Sequence, residues 1–232
     1  MAVSYKYHSN DPFLTSSINE LILDKLRKIG SEVLAQVSWP EIEKGKTRYL
    51  RFEDNGHKWL RDDYETEGFQ AVYCENLFFK RAELISLILL DFDAQYQLPN
   101  LFYHDTTLKT CKLSVISFGC GPGNDLTGFQ AFYLHLKQVK KSILSESQQL
   151  KLLKCVEEAE INLIGYDSAK GWGKYLDVLG YTFKHQMVDY NFVTQMEPVD
   201  VIILSYLLIT PTSLLACINQ KPQKTMYETG IS

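Results

Sequence analysis

The chain of 232 residues carries 24 Lys and Arg against 28 Asp and Glu, a formal charge of −4, and 45% of its residues are hydrophobic. That composition excludes a disordered or low-complexity polymer, and the length suffices for one sizeable core or a core with an added subdomain. Net acidity argues against a broad nucleic-acid surface, and five cysteines never spaced as C-x-x-C fit neither a disulfide framework nor a zinc cluster.

Along the chain, "MAVSYKYHSND" lacks the apolar core of a signal peptide, and no apolar run approaches a membrane span, so cytosol or nucleus is the expected location. From Ser17 onward Ile18, Leu21, Ile22, Leu26, Ile29, Val33, Leu34 and Val37 recur at helical steps. This predicts an amphipathic helix opening on a Thr or Ser cap and bracketed by the turn signals Asp11-Pro12 and Trp39-Pro40. Residues 41–68 are charged and irregular, with "FEDNGHKW" as a turn, and predict a loop or short excursion between helical parts. From Gln70 aromatic and aliphatic residues are dense enough for a helix buried on more than one side, closed by Pro99.

From Lys112 the pattern changes to short apolar runs between helices: "KLSVISFG", a helix from Asp125, "INLIGYD", a short helix at "GWGKYLDVLG", "FKHQMVDY" and "VDVIILSYL". Such alternation predicts βαβ units, a parallel sheet and right-handed crossovers. "KQVKKSILSESQQLKLLKCVEEAE" lengthens the first crossover by a second helix or insertion. Beyond the last strand the sequence turns polar, which predicts fewer strands than a doubly wound sheet normally has and a shortened carboxyl terminus.

The run "VISFGCGPGND" ends a strand in three alternate glycines, Gly119, Gly121 and Gly123, with Asn124 or Asp125 placed to cap the next helix. A turn with so little side chain lets backbone approach a ligand at the carboxyl end of a strand. A P-loop is excluded because no Lys-Ser/Thr follows the last glycine. A dinucleotide turn wants Gly or Ala where Asn124 stands, which weakens an NAD(P) reading without removing it. The five histidines show no metal-ligand spacing, the turn has no central serine for a hydrolase elbow, and Cys120 reads as a small side chain in a tight turn rather than a nucleophile.

The remaining pattern, G-x-G-x-G after an apolar strand, resembles motif I of class I S-adenosylmethionine-dependent methyltransferases. The longer "SFGCGPGNDLTGF" resembles a subgroup of uncharacterised eukaryotic methyltransferase-like proteins with S-x-G-x-G-P-G-x-D-x-x-G. The resemblance covers about half the chain and implies a Rossmann-like sheet with S-adenosyl-L-methionine as cofactor, the backbone of Gly119, Cys120, Gly121 and Gly123 lying against its methionine part. It puts Ser117 where the wider family has an acidic residue. It puts Asp167, followed by Ser168, where a carboxylate takes both ribose hydroxyls, and Asp189 near the adenine amino group, a cap or turn role being the other reading of Asp189. Trp172 is then an adenosine neighbour or a core aromatic, Tyr73 a lid residue, Asp200 a strand-edge residue, and Ser205-Tyr206 face methyl transfer.

The expectation is therefore an α/β chain with a helical cap or lid over residues 1–99 and a Rossmann-like, S-adenosylmethionine-binding domain over residues 100–232, incomplete at its carboxyl end. It would transfer a methyl group to an unidentified acceptor, with no metal and no membrane partner. The alternatives are an NAD(P)-dependent oxidoreductase and a non-catalytic, methyltransferase-like interaction protein.

Overall fold

The computed structural model describes residues 12–52, 59–96, 112–143, 160–197 and 199–204. Helix α1 (Pro12–Glu32) carries the predicted stripe: Ile18, Ile22 and Ile29 are buried, as is Val33 just beyond its end. Arg27, Glu20 and Asp24 pair on its solvent side. The helix already includes Pro12, ahead of the expected cap.

Residues 41–68, expected as a loop, instead hold most of α2 (Trp39–Leu50) and all of α3 (Arg61–Tyr64), and the first residues of α4 (Glu67–Tyr96). Trp39-Pro40, read as a breaker, opens α2, because a proline in the first turn gives up no helical hydrogen bond. The helix left no apolar stripe in the sequence because its buried contact is a glycine. A Cβ on Gly45 would lie 2.1 Å from the carbonyl carbon and oxygen of Gly68, so α2 and α4 meet backbone to backbone. The charges that suggested a loop are paired along the helix, Lys44 with Glu41 at 2.7 Å and Lys46 with Glu43 at 2.8 Å. The first turns of α4, Gly68 to Cys74, are buried throughout, as the density of large side chains there predicted.

The sheet is four-stranded and parallel, ordered β3-β2-β1-β4 from β1 (Lys112–Phe118), β2 (Glu160–Asp167), β3 (Thr182–His185) and β4 (Val201–Leu204). Between them lie α5 (Asn124–Ile143), α6 (Gly173–Leu179) and α7 (Tyr190–Gln195). The chain steps from β1 through β2 to β3, then returns to set β4 on the far side of β1. Right-handed crossovers running in opposite directions put their helices on opposite faces. Accordingly α5 and α6 join α1 and α4 over Val115 and Leu163, while α7 packs Phe192 and Val193 against Ile116 and Phe118. The amino-terminal helices thus share one core with the sheet.

Asp200 stands at the start of β4 as a strand-edge residue: its Oδ2 accepts from the Ser114 N–H at 2.7 Å and its own N–H donates to the Ser114 carbonyl at 3.1 Å. The expected second helix of the first crossover, Ser205-Tyr206 and the polar carboxyl-terminal stretch lie outside the described residues, as does most of "FEDNGHKW". Among the described residues no helix is long and apolar enough to cross a membrane.

Candidate functional site

At the carboxyl end of β1, Gly119, Gly121 and Gly123 adopt φ of 65°, 52° and 87°, a region that L side chains rarely enter. This conformation is what the alternate glycines permit. The Gly119 and Cys120 N–H groups donate to the Tyr166 carbonyl at 2.8 and 3.2 Å, folding the turn back against the end of β2. Next, the Gly121 N–H donates to Asp167 Oδ2 at 2.9 Å, and the Ala169 N–H donates to Oδ1 at 2.8 Å. One carboxylate therefore ties the glycine turn to the loop that follows β2.

Burial pushes the Asp167 carboxyl above its ordinary value; the N–H bonds from Ala169, Gly121 and Ser168 oppose that rise, and nearby Glu65 adds to it. The Cys120 thiol, also buried, is pushed well above its usual range, by burial first and then by the charges of Asp167 and Asp125. Its sulfur fills the space over Gly165, where a Cβ would come within 2.6 Å of it. Cys120 is a packing residue.

Ser117 is fully buried, and its hydroxyl donates to Asp125 Oδ2 at 3.1 Å while Asn124 Nδ2 donates to Oδ1 at 2.7 Å. At the strand position where the resemblance leads one to expect a carboxylate, this chain has a hydroxyl beside a carboxylate carried by the first turn of α5. The helix dipole favours an acid there. The sequence reading gives Asp125 only a capping role; the trace of this pairing is the Asp eight residues beyond the Ser in "SFGCGPGND".

The amino-terminal helices roof the turn. A Cβ on Gly121 would lie 4.0 Å from Tyr73 Cε1, and the Tyr73 ring in turn meets Trp172 at 5.5 Å, Trp59 at 5.7 Å and Phe69 at 6.0 Å. Arg81 donates to the Tyr73 hydroxyl, and its guanidinium lies 5.0 Å over the same ring. Tyr64 belongs to this layer too, and its phenol is raised by burial first, with Asp167 among the charges acting on it. Trp172 is fully buried between Tyr73 and Tyr175, at 5.5 and 5.3 Å, which makes it a core aromatic of the wall.

The structure thus brings Ser117, Gly119, Cys120, Gly121, Gly123 and Asp167 together with Asp125, Tyr73 and Trp172. Ser168 follows directly, its carbonyl 3.0 Å from His185 Nε2, linking the end of β2 to β3. Asp189 is exposed, and its Oδ1 accepts from the Phe192 N–H at 2.8 Å as the cap of α7. Among the described residues no cluster of His, Cys, Asp and Glu could hold a metal ion. No protein-family model, no curated protein and no solved structure significantly matches this chain.

Proposed function

We propose that the parallel sheet is the opening part of a Rossmann-like domain, because β3-β2-β1-β4 is the order in which a doubly wound sheet begins and the glycine turn lies where that order reverses. Within that class the chain is a class I S-adenosyl-L-methionine-dependent methyltransferase whose acceptor is unidentified. The observation that carries this reading is the pair of carboxylates flanking the turn: Asp125 Oδ2 lies 3.1 Å from the Ser117 hydroxyl before it and Asp167 Oδ2 accepts from the Gly121 N–H at 2.9 Å. A dinucleotide pyrophosphate would have to sit at the amino end of α5 against Asp125. A ligand bearing an ammonium and a sulfonium is attracted by the same field.

The cofactor, when bound, supplies an electrophilic methyl group on its sulfonium. The chain's own residues bind and orient: the glycines admit close backbone approach, Asp125 with Ser117 provides the counter-charge for an ammonium, and Asp167 accepts from the ribose. The aromatic layer of Tyr64, Tyr73 and Trp172 excludes water. In-line transfer needs positioning above all, which suits a turn already fixed by its own hydrogen bonds.

Isothermal calorimetry with S-adenosylhomocysteine, NAD and NADP tests the assignment. Heat from S-adenosylhomocysteine alone is expected; heat from a dinucleotide alone makes the chain an oxidoreductase candidate instead, and silence from all three removes the turn as a cofactor site.

The acidic limb of binding carries a second prediction. Protonation removes an acceptor from Asp167, so affinity for S-adenosylhomocysteine should fall as pH drops through a pKa above the ordinary 3.8. Stability responds in the opposite sense. A carboxyl whose pKa is raised by folding holds its proton more tightly in the folded state, so its contribution to stability grows as pH falls from the folded pKa toward the unfolded one. Binding and urea-unfolding curves measured over the same pH series should diverge; a parallel loss of both would mean that acid acts through unfolding and not through Asp167.

A further inference from the structure

The gap between the glycine turn and its roof has a cation on its far side. Within 4 Å, a Cβ on Gly121 would meet only Asn124 Oδ1, at 3.7 Å, and Tyr73 Cε1, at 4.0 Å. Gly123, two residues on, is closed in by Leu179 at 3.1 Å, Tyr181 at 3.3 Å and Leu176 at 3.5 Å, so the open space belongs to Gly121. Cε1 is next to the ring carbon that bears the hydroxyl, and the phenol end of Tyr73 therefore faces the gap. Arg81, a half-buried residue further along α4, donates from Nη1 to that hydroxyl, and its guanidinium lies 5.0 Å from the ring centre. Contact, ring edge and hydrogen bond together keep Nη1 within about 9 Å of the Cβ position on Gly121.

Charge gives that position a use. The homocysteine part of the ligand carries an ammonium and a carboxylate on one carbon. Asp125 and Asp167, beside the turn, attract the first and repel the second, which drives the carboxylate toward the roof. A guanidinium presents its donors as a planar fork that matches a carboxylate, and half-burial shields the pair from the water that weakens it. We propose, resting on the methyltransferase reading above, that Arg81 binds the α-carboxylate of the cofactor and makes the site select an intact amino-acid head group over a decarboxylated one. The glycine turn and the amino-terminal helices then read opposite ends of one zwitterion.

Calorimetry on the full chain with S-adenosylhomocysteine and its decarboxylated form, which keeps the amine and the adenosine, decides this. The wild-type chain should bind the decarboxylated form about tenfold more weakly. Equal affinities overturn the proposal. In Arg81→Met, which keeps a long apolar stem and loses the charge, affinity for S-adenosylhomocysteine should drop about tenfold, with affinity for the decarboxylated form unchanged. An equal loss for both ligands would make Arg81 a support for Tyr73 only, and no loss for S-adenosylhomocysteine would remove it from the site. Should Arg81→Met fail to fold, Arg81→Lys replaces the fork with a point charge and should narrow the discrimination between the two ligands; discrimination unchanged there overturns the role of Arg81. If the wild-type chain gives no heat with either ligand, the methyltransferase reading itself falls, an outcome distinct from binding that ignores the carboxylate.

Discussion

Replacing Gly121 with valine should lower affinity for S-adenosylhomocysteine by about 100-fold or more, a loss of ~2.8 kcal/mol, measured by calorimetry. Two effects act together. At φ of 52° any L side chain is strained, by about 1–2 kcal/mol, and a β-branched one more so. The space over the turn admits a Cβ, which would stand 3.7 Å from Asn124 Oδ1 and 4.0 Å from Tyr73 Cε1, but the two further methyls of valine would occupy the gap between turn and roof. Gly180 separates strain from blockage. It has φ of 77° at the end of α6 with nothing within 4 Å, so Gly180→Ala should cost about 1 kcal/mol of stability and leave binding untouched. If Gly121→Val binds as wild type does while both variants lose stability, the turn holds no cofactor.

What could be read from the sequence follows from the range of the forces involved. β1 and β2 were legible because strands in a parallel sheet with helices packed against it read as short apolar runs, and the parallel order followed from the alternation with helices. The glycine turn was legible because positive φ leaves a mark in residue type. α2 was not, because its buried surface is Gly45, a residue that carries no hydrophobic signal in any periodicity count. Asp125 was seen only as a cap, since its pairing with Ser117 exists once the turn has brought the strand end and the helix start together.

The same helix contact makes Gly68→Ala the most damaging single-methyl change. A Cβ there would lie 1.8 Å from the Glu41 carbonyl oxygen and 2.5 Å from its carbon, and both are backbone atoms that no rotamer change can move. α2 and α4 would have to separate by more than an ångström, at a cost of about 3 kcal/mol, the upper end of what overpacking usually does. Gly30→Ala provides the opposite sign. Gly30 lies within α1 with nothing within 4 Å, so alanine there should stabilise by about 1 kcal/mol through helix propensity alone. Urea unfolding of the two variants measures both effects. The consequence for the site is larger than the stability figure, because Gly68 opens the turn of α4 that carries Phe69, Gln70 and Tyr73 over the glycines. A displaced α4 should therefore weaken S-adenosylhomocysteine binding even at temperatures where the variant remains folded. If Gly68→Ala binds normally while folded, the amino-terminal helices are a prop for the sheet and contribute nothing to the ligand.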